Sequence, residues 1–321
     1  HRDLHSFPTR RSSDLSNFSW VHMAGLPDFK RISFSAIKDR PQFHWPDGKR
    51  LACYLALNLE HFIYGEGGVD LDRTSPPPNL RSYLWREYGN RVGVWRLLDL
   101  FDELEFPLGV IANTAIYDHA PQIMTAHRAR GDEVIGHGIT NSKPLASMDE
   151  AEERELFQEV KARITEEEGR PPQGWLSPYL APSERTPDLL AEFGYGYVLD
   201  FGMVDDQPFW CGTAPKHKNK TEPLLCLPYP IELNDQPAIV FRRDSPDEFF
   251  AAAIDQFDEM LRATEKYSQV FVVSLHSFIV GQPYRLKHLR RLLEHIKSHE
   301  ADTWITKPGE IAAYYRGLSG D

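Results

Sequence analysis

"RLACYLALNLE", residues 50–60, decides how the rest of the chain is read. It is a β-like apolar run that ends in polar groups, and a helical pattern follows it. In "NRVGVWRLLDLFDELEF" (90–106), Val94, Trp95, Leu97, Leu98, Phe101 and Leu104 recur with the period of an amphipathic helix. "PLGVIANT" (107–114) reads as the next strand, a helix is expected around 121–130, and residues 133–137 form a third strand. "SMDEAEERELFQEVKARITEEEG" (147–169) opens on a capping serine, Ser147, and closes on Gly169, which predicts a helix.

The alternation continues. "GWLSPY" (174–179) is a short strand and loop, "TPDLLAEFG" (186–194) a short helix and "YGYVLDFG" (195–202) a strand. "LLCLPYP" (224–230) and "AIVFRR" (238–243) read as strands, and "SPDEFFAAAIDQFDEMLRAT" (245–264) as a long helix. "QVFVVSLHS" (269–277) is the most apolar strand, and "YRLKHLRRLLEHIKSH" (284–299) an amphipathic helix; "TWIT" and "KPGEIAAYYRG" close the chain. Strands alternating with helices imply parallel pairing and right-handed crossovers. About seven such units predict an α/β fold of the distorted (β/α) barrel kind rather than an open sheet. No internal repeat is present. The loops at 63–82 and 203–223 are long and are expected over the barrel mouth.

The 321 residues are 41% hydrophobic and 26% charged, ordinary for a globular protein. The formal net charge of -11 argues against nucleic-acid binding, which needs a basic face. No apolar run has the length of a membrane-spanning helix, and a homo-oligomer is left open. Cys53, Cys211 and Cys226 are widely spaced, without a C-x-x-C pair. Reduced, buried thiols are expected, which fits a cytoplasmic protein. The first 20 residues read as a non-native or disordered leader, 21–44 as an N-terminal extension and 45–321 as one catalytic domain. The basic run Lys216–Lys220 reads as a solvated loop tip.

In an α/β barrel the chemistry sits at the C-terminal ends of the strands. The first strand delivers Asn58, Glu60 and His61, and the third delivers His137 and then Asn141. "GWLSPY" delivers Ser177 and Tyr179; "YVLDFG" delivers Asp200, with Asp205 and Asp206 beyond it. Glu232, Asn234 and Asp235 follow "PYP", and the strand at 269–277 delivers His276. A carboxylate that takes a proton from water, and a histidine that gives one to a leaving group, make a hydrolase-like set. Trp85, Asp200, Asp205, Asp206 and Asn234 are candidate substrate contacts; Trp85, Tyr88 and Trp95 also suit helix packing. His119, His127, His288, His295 and His299 read as solvated.

The order of these motifs resembles the polysaccharide deacetylase family (carbohydrate esterase family 4-like), a distorted α/β barrel, over about residues 45–317. The resemblance rests on "LEH" (59–61), "HGITN" (137–141), "LSPY" (176–179), "DF" (200–201) and "LHSF" (275–278). "YGNRVGVWRLLDLFDELEFPL", "PYPIELND" and "GQPYRLKHLRRLLEHI" look most like the branch that includes the allantoinases. The resemblance implies Glu60 as general base, His276 as general acid and the loop at Tyr179 as a backbone oxyanion donor. It also implies a divalent, zinc-like metal on His61, His137 and Asn141. Two departures stand out: Leu176 replaces the arginine that orients the base, and Asn141 replaces a metal histidine. A neutral amide is a poor zinc ligand, so metal and metal-free readings both stand. The expected substrate is a small cyclic amide or ureide, or an N-acetyl amino sugar. A non-catalytic binding protein on the same scaffold is the reading from another class.

Overall fold

A computed structural model describes residues 29–66, 78–213 and 223–318. Strand β1 (Leu51–Leu59) is buried along its whole length. Side chains alternate across a strand, and β1 fills two cores. Leu51, Cys53, Leu55, Leu57 and Leu59 face the helices, beside Val94, Leu97 and Phe101. Ala52, Tyr54 and Ala56 face inward, beside Val270, Val272 and Tyr229. A strand covered on both faces is apolar at nearly every position, as parallel strands under helices are.

Around β1 the sheet curls. β2 (Leu108–Ala112), β3 (Glu133–Gly136), β4 (Gly174–Trp175), β5 (Tyr197–Val198) and β7 (Leu224–Cys226) follow on one side, and β8 (Gln269–His276) lies on the other. These strands run parallel, in the order β7-β5-β4-β3-β2-β1-β8, which is the ring of about seven that the sequence predicts. β6 (Phe209–Cys211) adds an antiparallel edge on β7, and β9 (Thr303–Ile305) pairs with residues 51–53 of β1. The two ends of the sheet meet. Val270 N–H donates to the Asp206 carbonyl at 2.8 Å, Ser274 N–H to the Leu233 carbonyl at 2.9 Å, and Asn234 bridges Ser274.

The helices are α1 (Leu80–Tyr88), α2 (Val94–Glu103), α3 (Ile116–His119), α4 (Pro121–Arg130) and α5 (Glu150–Glu168). They continue with α6 (Thr186–Phe193), α7 (Pro246–Ala263), α8 (Ser277–Val280), α9 (Pro283–Ser298) and α10 (Pro308–Leu318). Three expectations change. The helix expected from residue 90 begins at Leu80 and passes through a π-helical turn, Gly89–Gly93, before α2. The cap of α5 is Asp149, not Ser147; Asp149 and Glu152 make a reciprocal capping box. "AIVFRR" is no strand but a π-helical turn, Gln236–Arg242. The free edge of β8 is already taken by Leu233 and Asn234. With no ladder to join, Phe241 stays 45% exposed despite its β-prone type.

The unit that begins at Arg31 includes residues expected as an extension. Arg31 pairs with Asp188, and Arg40 with Asp205. The three cysteines are buried free thiols. Among the described residues no helix is long and apolar enough to cross a membrane. The run Lys216–Lys220 and parts of both long loops lie outside the described residues.

The π turn is tight against the chain that leaves β8. A Cβ on Gly93 would overlap the Ser277 carbonyl, and one on Gly281 would overlap Gly93 itself. Backbone meets backbone here, so neither side can yield cheaply. Gly93→Ala should therefore cost about 1–3 kcal/mol through overpacking, read as a lower denaturation midpoint. An unchanged midpoint would show that the two segments separate freely.

Candidate active site

The inward face of the barrel ends in polar groups. Continuing the inward set of β1 past Ala56 gives Asn58 and Glu60. Continuing that of β8 past Val272 gives Ser274 and His276. The β1–β8 register puts Asn58 opposite His276. In β3, Ile135 faces inward, and His137 follows it by two. Glu60, His137 and His276 are therefore brought together by strand alternation. All three are buried, Glu60 at 9% exposure and both imidazoles below that.

Glu60 Oε1 is the centre of the constellation. The Asn141 amide donates to it at 2.7 Å. His276 Nε2 lies 3.6 Å from it and His137 Nε2 3.9 Å. Behind His276 stands Asp235, whose Oδ1 takes the Nδ1 proton at 2.7 Å and whose Oδ2 takes the backbone N–H at 2.9 Å. His137 donates its Nδ1 proton to the Leu176 carbonyl at 2.7 Å, which fixes the ring and turns Nε2 toward Glu60. Glu60 Oε2, His137 Nε2 and Asn141 Oδ1 are buried without a hydrogen-bond partner. Unpaired buried polar atoms are rare, and a cluster of them marks a place for a polar guest.

Burial alone would raise the Glu60 pKa, but the two imidazoles outweigh it and hold the carboxyl well below its usual range. For His276, burial opposes the charge, and Asp235 and Glu60 overcome it, so the imidazole is pushed up to about 10. At neutral pH the pair is Glu60 carboxylate and His276 imidazolium. Those are the protonation states of a base and an acid awaiting substrate.

The other expected residues are placed differently. The His61 ring lies against that of His119, tilted by 41° with centroids 4.3 Å apart. His119, read as solvated, is exposed and meets Glu87 at 2.9 Å. His127, also read as solvated, is buried and bonded to Asp132 at 2.8 Å. Asp200 is on the outward parity of β5. It accepts from Ser177 N–H at 2.6 Å and Ser177 Oγ–H at 2.7 Å, and burial lifts it to about 7 despite those bonds. It props the β4 loop rather than facing the mouth. Asp205 is bound by Arg40, and the Asp206 carbonyl by Val270 at the start of β8. Six residues of strand, about 20 Å, separate Val270 from His276, so these carboxylates are not at the site. The Asn234 side chain is spent locally, accepting from Gln236 N–H at 3.1 Å at the start of the π turn. Trp85 packs edge-on against Phe278, which itself packs against His276. The Tyr179 hydroxyl donates to the Asn141 carbonyl at 2.6 Å, tying the β4 loop to the β3 loop.

The resemblance implies a metal on His61, His137 and Asn141, and these residues do not fit one. The His61 ring lies against His119 and near Glu87 rather than beside His137, and Asn141 offers only a neutral amide oxygen, a poor zinc ligand. Among the described residues, the groups of three His, Cys, Asp or Glu with ligand atoms within 4.8 Å of one another are His61–Glu87–His119 and Asp258–His295–His299. Neither contains His137.

Two residues of the site were given no role in the sequence reading, although Asp235 was named among the strand-end groups. Asp235 was passed over for its neighbour Asn234; the signal was an acidic residue closing "PYPIELND". Asn113, at the end of β2, accepts from His61 N–H at 2.9 Å and donates to the His137 carbonyl, so it spaces the two strand ends.

Comparison with known proteins gives the family. The polysaccharide deacetylase family profile matches residues 81–198. A putative polysaccharide deacetylase of Schizosaccharomyces pombe is 26% identical over 84% of this chain and 91% of its own length. A peptidoglycan deacetylase of Helicobacter pylori is 26% identical over 68% of this chain and 82% of its own. The crystal structure of Puue allantoinase superposes with a TM-score of 0.77 at 30% identity, covering 87% of this chain and 94% of that one. The chain belongs to the polysaccharide deacetylase family. As a member of that family it is a carbon–nitrogen hydrolase with a deacetylase-like barrel.

The site makes a pH prediction. The His276 pKa is raised from 6.5 to about 10 in the folded state. The stability gained by holding that proton is complete below the unfolded value and is lost as pH rises through about 10. Asp235→Asn removes the main partner. An NMR titration should place the His276 midpoint near 10 in the wild type and clearly lower in the variant. The stability gap between the two should shrink between pH 7 and 10. Equal midpoints would show that Asp235 does not hold the proton.

Proposed function

We propose that the protein hydrolyses a non-peptide amide bond, with a small cyclic amide or ureide as substrate. The observation that carries this reading is the buried Asp235–His276–Glu60 chain. Glu60 takes a proton from the attacking water, and the new C–O bond forms at the carbonyl carbon. His276 gives its Nε2 proton to the nitrogen as the C–N bond breaks, with Asp235 keeping the ring oriented. Asn141 does what an arginine would otherwise do, fixing Glu60 through Oε1 and leaving Oε2 for water. His137 Nε2 and Asn141 Oδ1 have no partner, and the Asn141 oxygen can accept from the water or from a ureide N–H.

The carbonyl oxygen goes to the β4 loop. Tyr179 and Leu180 both have positive φ, at 65° and 54°. Two non-glycine residues in this region store strain, which concentrates at functional sites. The turn is pinned by Leu180 N–H to the Ser177 carbonyl at 3.0 Å and by the Tyr179 hydroxyl bond. A backbone donor fixed in this way stabilises developing negative charge without reorganising.

The likeness to Puue allantoinase supports the small-molecule substrate. An N-acetyl amino sugar is the second reading, supported by the peptidoglycan deacetylase relative. A panel of ureides, cyclic amides and N-acetylglucosamine oligomers separates the two. Glu60→Gln and His276→Ala should each lower kcat on the active substrate by at least about 100-fold, with the circular dichroism spectrum kept. Turnover near wild type in either variant would defeat its assigned role. Binding without hydrolysis across the whole panel would make the protein a non-catalytic binder.

A further inference from the structure

We infer that His61, Glu87 and His119 form a binding site for a divalent transition metal of the zinc class, set apart from the Glu60–His276 pair. The three come from different elements: the residue after Glu60, the last turn of α1 and the end of α3. Their ligand atoms nevertheless lie within 4.8 Å of one another. Two imidazoles and a carboxylate are a donor set that zinc takes, with a fourth position for water. Calcium and magnesium prefer all-oxygen shells and are disfavoured.

The arrangement is poorly explained without a ligand. His61 Nδ1 is buried and has no hydrogen-bond partner. Its ring lies against a second imidazole, tilted by 41° with centroids 4.3 Å apart, and that imidazole meets Glu87 at 2.9 Å. A metal shared by both rings and Glu87 would give the buried nitrogen its partner. The backbone at His61 is held in advance, by Asn113 accepting its N–H at 2.9 Å and Asn141 donating to its carbonyl at 2.8 Å. Glu87 stands at the entry to the π-helical turn, and such turns recur at functional sites. Asn90, within that turn, donates to the Glu60 carbonyl at 3.3 Å. Metal binding would thus clamp α1 and α3 onto the strand end that carries the base.

This inference does not depend on amide hydrolysis, and turnover is not its readout. The full chain is stripped with chelator and dialysed. It is then titrated with zinc by calorimetry and with cobalt(II) by visible absorption. One equivalent is expected to bind to the wild type, to His137→Ala and to His295→Ala. In His61→Ala and His119→Ala, binding should weaken by more than the roughly 10–100-fold that outer-shell changes cost. Glu87→Gln keeps the side chain's size. It should weaken binding while the metal-free chain still unfolds near the wild-type temperature, which separates ligand loss from misfolding. No zinc binding by the wild type overturns the inference. So does binding that survives both His61→Ala and His119→Ala, or that follows His137 or His295 instead.

Discussion

Glu60 is a carboxylate placed where water barely reaches, and a buried charge has to be paired or hydrogen-bonded to be tolerated. The mouth of the barrel is organised around that requirement. His276 supplies the nearest positive charge, and Asp235 supplies the charge that keeps His276 protonated. Asn141 supplies the one direct hydrogen bond. These partners arrive from different loops: Asn141 after β3, Asp235 after β7, His276 from β8. The chain of alternating charges therefore fixes the loops as much as the loops fix the charges. Removing one member would leave its neighbour buried and uncompensated, which costs more than the pair contributes.

Beneath the charges lies a polar layer that holds the register. Tyr229 Oη and Ser274 Oγ are 2.6 Å apart, and the Asn58 amide donates to Ser274 Oγ at 3.0 Å and to the Leu275 carbonyl at 3.1 Å. Asn58 is the inward residue of β1 below Glu60, and Ser274 the inward residue of β8 below His276. A one-residue slip would turn both layers to the helix side. The cross-strand network thus sets the spacing between Glu60 and His276.

The fold was legible because parallel strands covered on both faces are near-continuous apolar runs, and β1 and β8 are such runs. Strand alternation explains part of what was misplaced at the site. Glu60 faces inward, whereas His61, just past the end of β1, groups with Glu87 and His119 rather than with His137. Asp200 has the parity of Val198, which faces the helices, and so props Ser177. Asp205 and Asp206 fail for another reason: the chain after β5 turns back toward the start of β8, and nothing local encodes that path. "AIVFRR" has strand composition but no edge to pair with. Asp235 was visible as a residue and invisible as a partner, because its contact spans 41 positions of sequence.

The two departures from the family pattern answer each other. With Leu176 in the loop, no guanidinium orients the base. With Asn141 in place of a histidine, the metal set loses an imidazole. But an amide holds its donor beside its acceptor on one carbon, whereas a metal-bound histidine turns its remaining N–H away from the metal. The amide donor reaches Glu60, so the position that lost a ligand supplies the lost orientation. Leu176 can be apolar because its contribution is its backbone: the carbonyl that takes the His137 proton is indifferent to the side chain. Glu60 is thereby held without a guanidinium at its side, and the positive charge nearest to it is the His276 imidazolium. The two neutralise each other at rest. In the proposed hydrolysis, a substrate that comes between them would separate that pair and, by taking away its stabilising charge, make Glu60 a stronger base.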